Sequence, residues 1–181
     1  YDHGFIVQSA SVTLGFDLVR AAYLAPLGFG IGDEKMQALI DACDVLFVSH
    51  AHGDHADEWV ARRFLDTGKP VVAPDNAWAD KSFYEQVVHL PRDGSKRNRL
   101  PEKTGGQSLA VTVWPGHQGG LLNNIYLVDL PGGKTIAHTG DQDNQEDRAW
   151  IDCIKNQHAV DVLLVNCWPR GMDKMIEGFR P

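Results

Sequence analysis

The sequence has little cysteine and no long apolar run. Its three cysteines, Cys43, Cys153 and Cys167, are odd in number and lack the spacing of a disulfide framework. A disulfide-stabilised secreted fold is therefore disfavoured, and a reducing compartment, the cytoplasm, is expected. No apolar run approaches the roughly 18 residues that a membrane-spanning helix needs, so no membrane partner is expected. The formal net charge of −7 disfavours general binding to nucleic acids.

The chain also lacks repeats, low-complexity tracts and any segment that reads as a linker. Its 181 residues are expected to form a single domain, residues 1–181. It begins at Tyr1 without a methionine or a signal-type segment and stops at Pro181. We expect both ends to be cuts inside a longer gene product.

Hydrophobic periodicity predicts strands that alternate with helices around a central meander, and hence an α/β fold with a mixed sheet. Predicted strands cover 12–18, 45–48, 71–73, 87–90, 109–113, 124–130, 134–138 and 160–165. Predicted helices begin at Asp33 and near Ala56, and others cover 76–85, 143–157 and 172–178. Residues 21–32 and 91–106 are predicted loops, and residues 131–133 are predicted to turn a hairpin.

The stretch after the second predicted strand concentrates side chains that bind metals. His50, His52, Asp54 and His55 lie within six positions. His50 and His52 are two apart in extended chain and point the same way, and Gly53 allows a sharp turn that aims the other two at a second point. Mixed imidazole and carboxylate sites are typical of catalytic metals. The alternative is a solvated histidine-rich turn, although ligands of open α/β sheets bind where strands end.

The order of strand, HAHGDH and helix resembles the metallo-β-lactamase superfamily, whose hallmark is HxHxDH. Two later stretches, 114–117 (WPGH) and 137–141 (AHTGD), resemble the strand-end histidine and the bridging aspartate of that family. His3-Gly4 and Asp17 resemble the opening hairpin of its broad metal-dependent hydrolase branch, which includes ascorbate-6-phosphate lactonase-like proteins. The resemblance covers nearly the whole chain and implies an αββα sandwich with mixed sheets.

Carried over residue by residue, the resemblance implies a binuclear metal centre, with zinc as the expected metal and manganese or iron as alternatives. The implied ligands are His50, His52 and His117 for the first metal, Asp54 and His55 for the second, and Asp141 as the bridge. A surface-loop histidine is the alternative for His117, and a turn aspartate is the alternative for Asp141.

The remaining histidines carry weaker signals. His138 either orients a ligand through a hydrogen bond or is an ordinary strand histidine. His3 either acts beside the site or is structural. His89 and His158 lie in no motif and are expected to have no role.

One family feature has no counterpart in this sequence. The family takes a last histidine for the second metal from a strand beyond the one predicted at 160–165, and no histidine follows Val165. We therefore expect the last strand or strands of the sandwich to be missing from this chain, and the second metal site to be weak or empty.

The resemblance implies a metal-dependent hydrolase with a small-molecule substrate. A metal-bound hydroxide would cleave an ester, lactone or phosphodiester bond, and Asp54 would orient the nucleophile and take its proton. Three alternatives stay open: an iron-dependent redox enzyme of dioxygenase type, a tRNA-processing-type nuclease, which the net charge disfavours, and a non-catalytic binding module.

Basic residues gather in the predicted loop at 91–106. They either grip a phosphate or carboxylate of the substrate or form a solvated loop, and they are Arg92, Lys96, Arg97, Arg99 and Lys103.

Overall fold

The protein folds into strands and helices in nearly the order that the hydrophobic pattern predicts. The computed structural model describes residues 4–100, 108–143, 145–166 and 171–181. The strands within them are β1 Phe5–Gln8, β2 Thr13–Phe16, β3 Val45–Phe47, β4 Val71–Val72, β5 Arg97–Arg99, β6 Ala110–Gln118, β7 Leu121–Asp129, β8 Thr135–His138 and β9 Val162–Leu164. The α-helices are α1 Asp33–Ala42, α2 Glu58–Asp66, α3 Arg148–Ile151, α4 Ile154–Gln157 and α5 Met172–Phe179. Short 3₁₀ helices lie at Ala22–Leu27, Tyr84–Gln86 and Gln145–Asp147.

The strands form two mixed sheets. The first has the order β1-β2-β3-β4, with β1 antiparallel to β2 and the other neighbours parallel. The second has the order β5-β6-β7-β8-β9 and is antiparallel except between β8 and β9. This arrangement confirms the predicted α/β class with mixed sheets.

In the described part of the chain, three apolar clusters separate four layers of secondary structure. Because side chains alternate in direction along a strand, Phe47 of β3 faces the second sheet while Leu46 packs against α1 and α2. In the same way, Tyr126 of β7 faces the first sheet while Leu127 packs against α3, α4 and α5. The two sheets therefore lie face to face between two layers of helices, as predicted for an αββα sandwich.

Two predicted helices are wrong in extent. Residues 76–85 form turns rather than a helix, because Trp78 has a left-handed backbone with φ of 57°. Its ring packs on Phe83, and the Tyr84 hydroxyl donates to the carbonyl of Asp75, which closes the segment on itself. Residues 148–157 form α3 and α4 rather than one helix.

Several strands also differ from prediction. Residues 87–90 form no strand and make only an isolated bridge, between Val88 and Val72. β5 lies within the predicted loop at 91–106. β6 continues through Pro115 to Gln118 instead of ending near residue 113, because β5 pairs only with its first residues and a proline is tolerated on the free edge beyond them. β9 is shorter than the strand predicted at 160–165, and its first residue, Val162, is 42% exposed, since β9 is the last strand of its sheet in the described part of the chain.

None of the described helices is both long and apolar enough to cross a membrane. Cys43 is a buried free thiol and Cys153 an exposed one. Cys167 lies outside the described residues.

Candidate metal centre

The predicted ligands lie at an edge where strands of both sheets end. Ser49 and His50 follow β3 of the first sheet, and Asp141 follows β8 of the second. A backbone bridge joins His50 to Asn123 of β7, and the amide of Asn124 donates to the carbonyl of Ser49 at 2.7 Å. Side chains from both halves of the chain therefore meet at this edge.

The histidine-rich stretch folds into a compact turn. The backbone amides of His55 and Ala56 both donate to the carbonyl of His52, at 2.9 and 2.8 Å. The turn brings the backbone of His55 back to that of His52, and the side chain of His55 is fully buried.

The helix after this turn begins later than predicted. Asp57 accepts hydrogen bonds from the amides of Trp59 and Val60 and so caps α2, whose first residue is Glu58. The helix therefore begins two residues after the predicted start near Ala56, and Asp54 and His55 precede it. Both belong to the turn that precedes the cap.

Three of the predicted ligands converge. His50, His55 and Asp141 each offer a ligand atom, and these atoms all lie within 4.8 Å of one another. All three side chains are buried, and Nε2 of His55 is 3.5 Å from Oδ2 of Asp141. Two imidazoles and a carboxylate form a donor set that suits zinc, iron or manganese. The residues present therefore fit a divalent metal.

His52 and Asp54 lie on the solvent side of this cluster. Nδ1 of His52 is 3.1 Å from Nε2 of His50, and Oδ2 of Asp54 is 3.8 Å from Nε2 of His55. The side chain of Asp54 is 44% exposed. Because His50 lies beside both His52 and His55, the division of these residues between two metals remains a prediction.

His117 lies on β6, next to the residue that contacts Asp141. Its Nδ1 is 3.0 Å from Oδ2 of Asp147, and its amide donates to Oε1 of Gln142 at 2.7 Å. A carboxylate on Nδ1 selects the tautomer with the lone pair on Nε2, an arrangement typical of histidines that bind metals. The adjacent Gln118 donates to Oδ2 of Asp141 at 3.0 Å.

A fully buried aspartate supports the cluster from behind. Asp17 accepts hydrogen bonds from the amide and the hydroxyl of Ser49, both at 2.7 Å. Nδ1 of His55 lies 2.8 Å from Oδ2 of Asp17, and Nε2 of His138 lies 3.5 Å from the same oxygen. Of the two interpretations open for His138, contact with the aspartate that orients His55 favours a supporting role.

The carboxylates make this cluster favourable for positive charge. Burial opposes a charge on His55, but Asp141 and Asp17 outweigh burial and raise its pKa to about 10. Burial, together with the charge of His55, lowers the pKa of His50 to about 4. Burial also opposes ionisation of Asp17, yet His138 and His55 hold the pKa of that carboxyl below its usual value. A metal cation would take the place of the proton on His55, because metal binding displaces protons from its ligands.

Several residues of the site received no role from the sequence, among them Gln118, which contacts Asp141. Ser49 directly precedes His50, and Gln142 directly follows Asp141. Their position next to predicted ligands could have identified both as residues of the site. Asn123 and Asp147 lie in no motif, and only the fold brings them to the site.

Two further predictions from the sequence fall wholly or partly outside the described residues. His3 lies outside the described residues. The basic residues of the predicted loop do not share one environment: Arg92 donates to the carbonyl of Gly116 at 2.6 Å, and Arg97 forms an ion pair with Asp129 at 2.8 Å. Lys103 lies outside the described residues.

Comparison with known proteins succeeds at the level of structure only. No protein-family model matches the sequence, and no curated protein matches it.

Solved structures match 90% of the chain. They include the metallo-β-lactamase fold protein YhfI from Bacillus subtilis, with a TM-score of 0.54 and 15% identity. Igni18, a metallo hydrolase from Ignicoccus hospitalis, matches with a TM-score of 0.56 and 17% identity. CmlA, a diiron β-hydroxylase from Streptomyces venezuelae, matches with a TM-score of 0.59 and 15% identity.

The chain spans 61%, 66% and 32% of these three structures, respectively. At such identities the likeness establishes the fold. The chain has the metallo-β-lactamase fold, which confirms the fold predicted from the sequence.

Proposed function

We propose that this protein is a metal-dependent hydrolase acting on a small molecule, with zinc as its metal. The observation that carries the proposal is the convergence of His50, His55 and Asp141, buried and with ligand atoms within 4.8 Å of one another. They lie at the strand-end edge, where ligands of α/β sheets bind. The structural likeness to Igni18, a metallo hydrolase, supports the proposal.

In this proposal the donor set is completed from the rim and from β6. His52 and Asp54 join from the solvent side, and His117 joins with its Nε2. A bound divalent metal supplies a Lewis acid for the oxygen of an ester, lactone or phosphodiester and lowers the pKa of water.

The side chains around the donor set have separate tasks. Asp17 and Ser49 fix the rings of His55 and His50 through hydrogen bonds of 2.7 to 3.0 Å. Asp54 has a different position, because its carboxylate is 44% exposed whereas Asp141 is buried. We therefore assign to Asp54 the orientation of the attacking water and the acceptance of its proton.

An iron-dependent redox enzyme is the second candidate. CmlA, a diiron β-hydroxylase, shares the fold with a TM-score of 0.59. Histidines and carboxylates are ligands of both iron and zinc, so the types of ligand alone do not choose between the two metals.

The first experiment measures element-resolved metal content per chain, on protein purified without chelator or added metal. Bound zinc or manganese, with hydrolysis of an ester, lactone or phosphodiester panel that chelation removes and the metal restores, is the expected result. Bound iron with oxygen consumption would select the redox enzyme instead. A chain that contains no metal and takes up none contradicts both.

The role of Asp54 is tested against a matched aspartate. Asp54→Ala is expected to lower turnover by about 10²- to 10⁴-fold, the range for a lost general base. Asp66→Ala, at the exposed last residue of α2, is expected to leave turnover unchanged. Full hydrolysis by Asp54→Ala would contradict the assignment.

A further inference from the structure

We propose that Asn123 is a positioning residue that sets the separation between His50 and Asp141. The inference rests on the proposed metal site and extends it to a residue that binds no metal itself. Asn123 is fully buried and belongs to no motif.

The backbone of Asn123 connects to the first sheet. Asn123 forms an isolated antiparallel bridge with His50, and the next amide, of Asn124, donates to the carbonyl of Ser49 at 2.7 Å. β7 therefore holds the chain at Ser49 and so places His50 opposite Asn123.

The side chain of Asn123 connects to the loop after β8. Its Oδ1 accepts a hydrogen bond from the amide of Asp141 at 3.2 Å, and its Nδ2 donates to the carbonyl of Thr139 at 2.8 Å. A side-chain amide can do both at once, because its oxygen accepts from an N–H while its nitrogen donates to a carbonyl. Asn123 thus lies opposite His50 in the backbone bridge and bonds to the loop of Asp141 through its side chain.

Two glycines leave the space that Asn123 fills. A Cβ at Gly140, where φ is 51°, would lie 2.3 Å from Oδ1 of Asn123. A Cβ at Gly116, which is paired with Asn123 across β6 and β7, would lie 2.8 Å from the Asn123 carbonyl oxygen. The glycines of the AHTGD and WPGH stretches therefore leave room for the asparagine, and the left-handed backbone at Gly140 also favours glycine.

The neighbouring residue provides a matched control. Asn124 has the same side chain on the same strand and is also fully buried. Its Nδ2 donates to the hydroxyl of Tyr126 at 2.9 Å, on the opposite face of β7. Alanine at either position removes one buried amide, but only Asn123→Ala releases the loop that carries Asp141.

The experiment compares the two alanine variants in the full chain. Zn²⁺ affinity is measured by competition with a chromophoric chelator, and ligand geometry by the visible absorption of the Co²⁺ form. Asn123→Ala is expected to weaken Zn²⁺ binding by about 10- to 100-fold, as loss of a ligand-orienting partner does, and to change the Co²⁺ spectrum. Asn124→Ala is expected to leave both unchanged. Equal affinities, or equal losses in the two variants, would overturn the proposal.

A second readout does not depend on metal. Hydrogen exchange of the Asp141 amide in zinc-free protein is expected to speed up in Asn123→Ala and not in Asn124→Ala, because the amide loses its acceptor. If the unchanged protein binds no zinc, the proposed function fails while exchange still decides whether Asn123 positions Asp141. Unaltered exchange in Asn123→Ala overturns that claim.

A milder pair of variants serves if the alanine variants do not fold. Asn123→Asp keeps the shape and the acceptor for the Asp141 amide but sets a carboxylate oxygen against the Thr139 carbonyl. It is expected to weaken Zn²⁺ binding relative to Asn124→Asp, and equal binding by the two would overturn the proposal.

Discussion

The candidate metal centre has a buried side and a rim, and the protein holds the two differently. His50, His55 and Asp141 are buried, and each has hydrogen-bond partners within the protein. His52 is exposed and Asp54 is 44% exposed in its side chain. The buried side is part of the polar interior of the fold, while the rim faces the solvent from which a substrate would come.

This difference predicts which variants should lose metal binding without losing stability. A buried polar group that loses its partner destabilises the fold, whereas an exposed group that is removed leaves the fold nearly unchanged. Variants on the buried side should therefore affect both stability and metal binding, and variants on the rim should affect metal binding alone.

His55→Ala should give the largest effect, since it breaks the buried side. It leaves the carboxylates of Asp17 and Asp141 without the imidazole between them, and the loss of one partner from a buried charged pair costs about 3 kcal/mol. We expect zinc binding to be lost and the free energy of unfolding of the metal-free protein to fall by about that amount. Urea unfolding and metal content measure the two effects, and unchanged metal-free stability would show that the buried side is not part of the core.

His52→Ala should give the next largest effect, and it tests whether the rim contributes to metal binding without contributing to stability. Loss of a residue that only orients a ligand weakens metal binding by about 10- to 100-fold. Because His52 is itself a proposed ligand, we expect His52→Ala to weaken zinc binding by about 100-fold, the upper end of that range. The metal-free free energy of unfolding should stay within about 0.5 kcal/mol, as is usual at exposed positions. A loss of metal-free stability as large as that in His55→Ala would erase the distinction between the two sides.

Asp147→Asn tests the partner of His117 and should have an intermediate effect. The carboxylate lies 3.0 Å from Nδ1 of His117 and also accepts from Gln142 at 2.8 Å. Because asparagine keeps the shape but not the charge, we expect Co²⁺ affinity to fall by about 10-fold. Binding as tight as in the unchanged protein would mean that His117 needs no carboxylate to orient it.

Asp57→Ala should have the smallest effect on metal binding, although it lies only two residues after His55. Its side chain caps α2 and bonds to Arg20 at 3.0 Å, so its removal should lower the free energy of unfolding by about 1 to 2 kcal/mol. Zinc affinity of the folded protein should change less than about 2-fold, because the cap orients a helix and not a ligand. Loss of affinity similar to that in His52→Ala would show that the turn and the helix form one unit.

The local part of the site was predictable from the sequence. His50, His52, Asp54 and His55 share one turn, so their spacing alone places them together. The alternating strands of the β7–β8 hairpin were predictable for the same reason, since their pattern and their turn residues are contiguous.

The non-local part of the site was not predictable. Asn123 and Asp147 reach the site only because β7 and the segment before α3 pack where they do, and no local pattern encodes that packing. The left-handed backbone of Trp78 likewise overrides a helical pattern at 76–85. The exposure of β9 depends on what lies beside the sheet rather than on the apolar residues of the strand.

The bridge between His50 and Asn123 also bears on the order of events during folding. His50 follows a strand of the first sheet, whereas Asn123 lies on β7 of the second, far along the chain. Contacts between such distant segments form slowly because long loops must close first. Before the sheets dock, a metal ion meets only the local histidine turn. After docking, the proposed site would offer the metal groups from both halves of the chain, and a ligand that binds only the folded state stabilises that state against unfolding. Metal uptake should thus report that the sandwich has closed, and a loaded centre should keep the two sheets from separating.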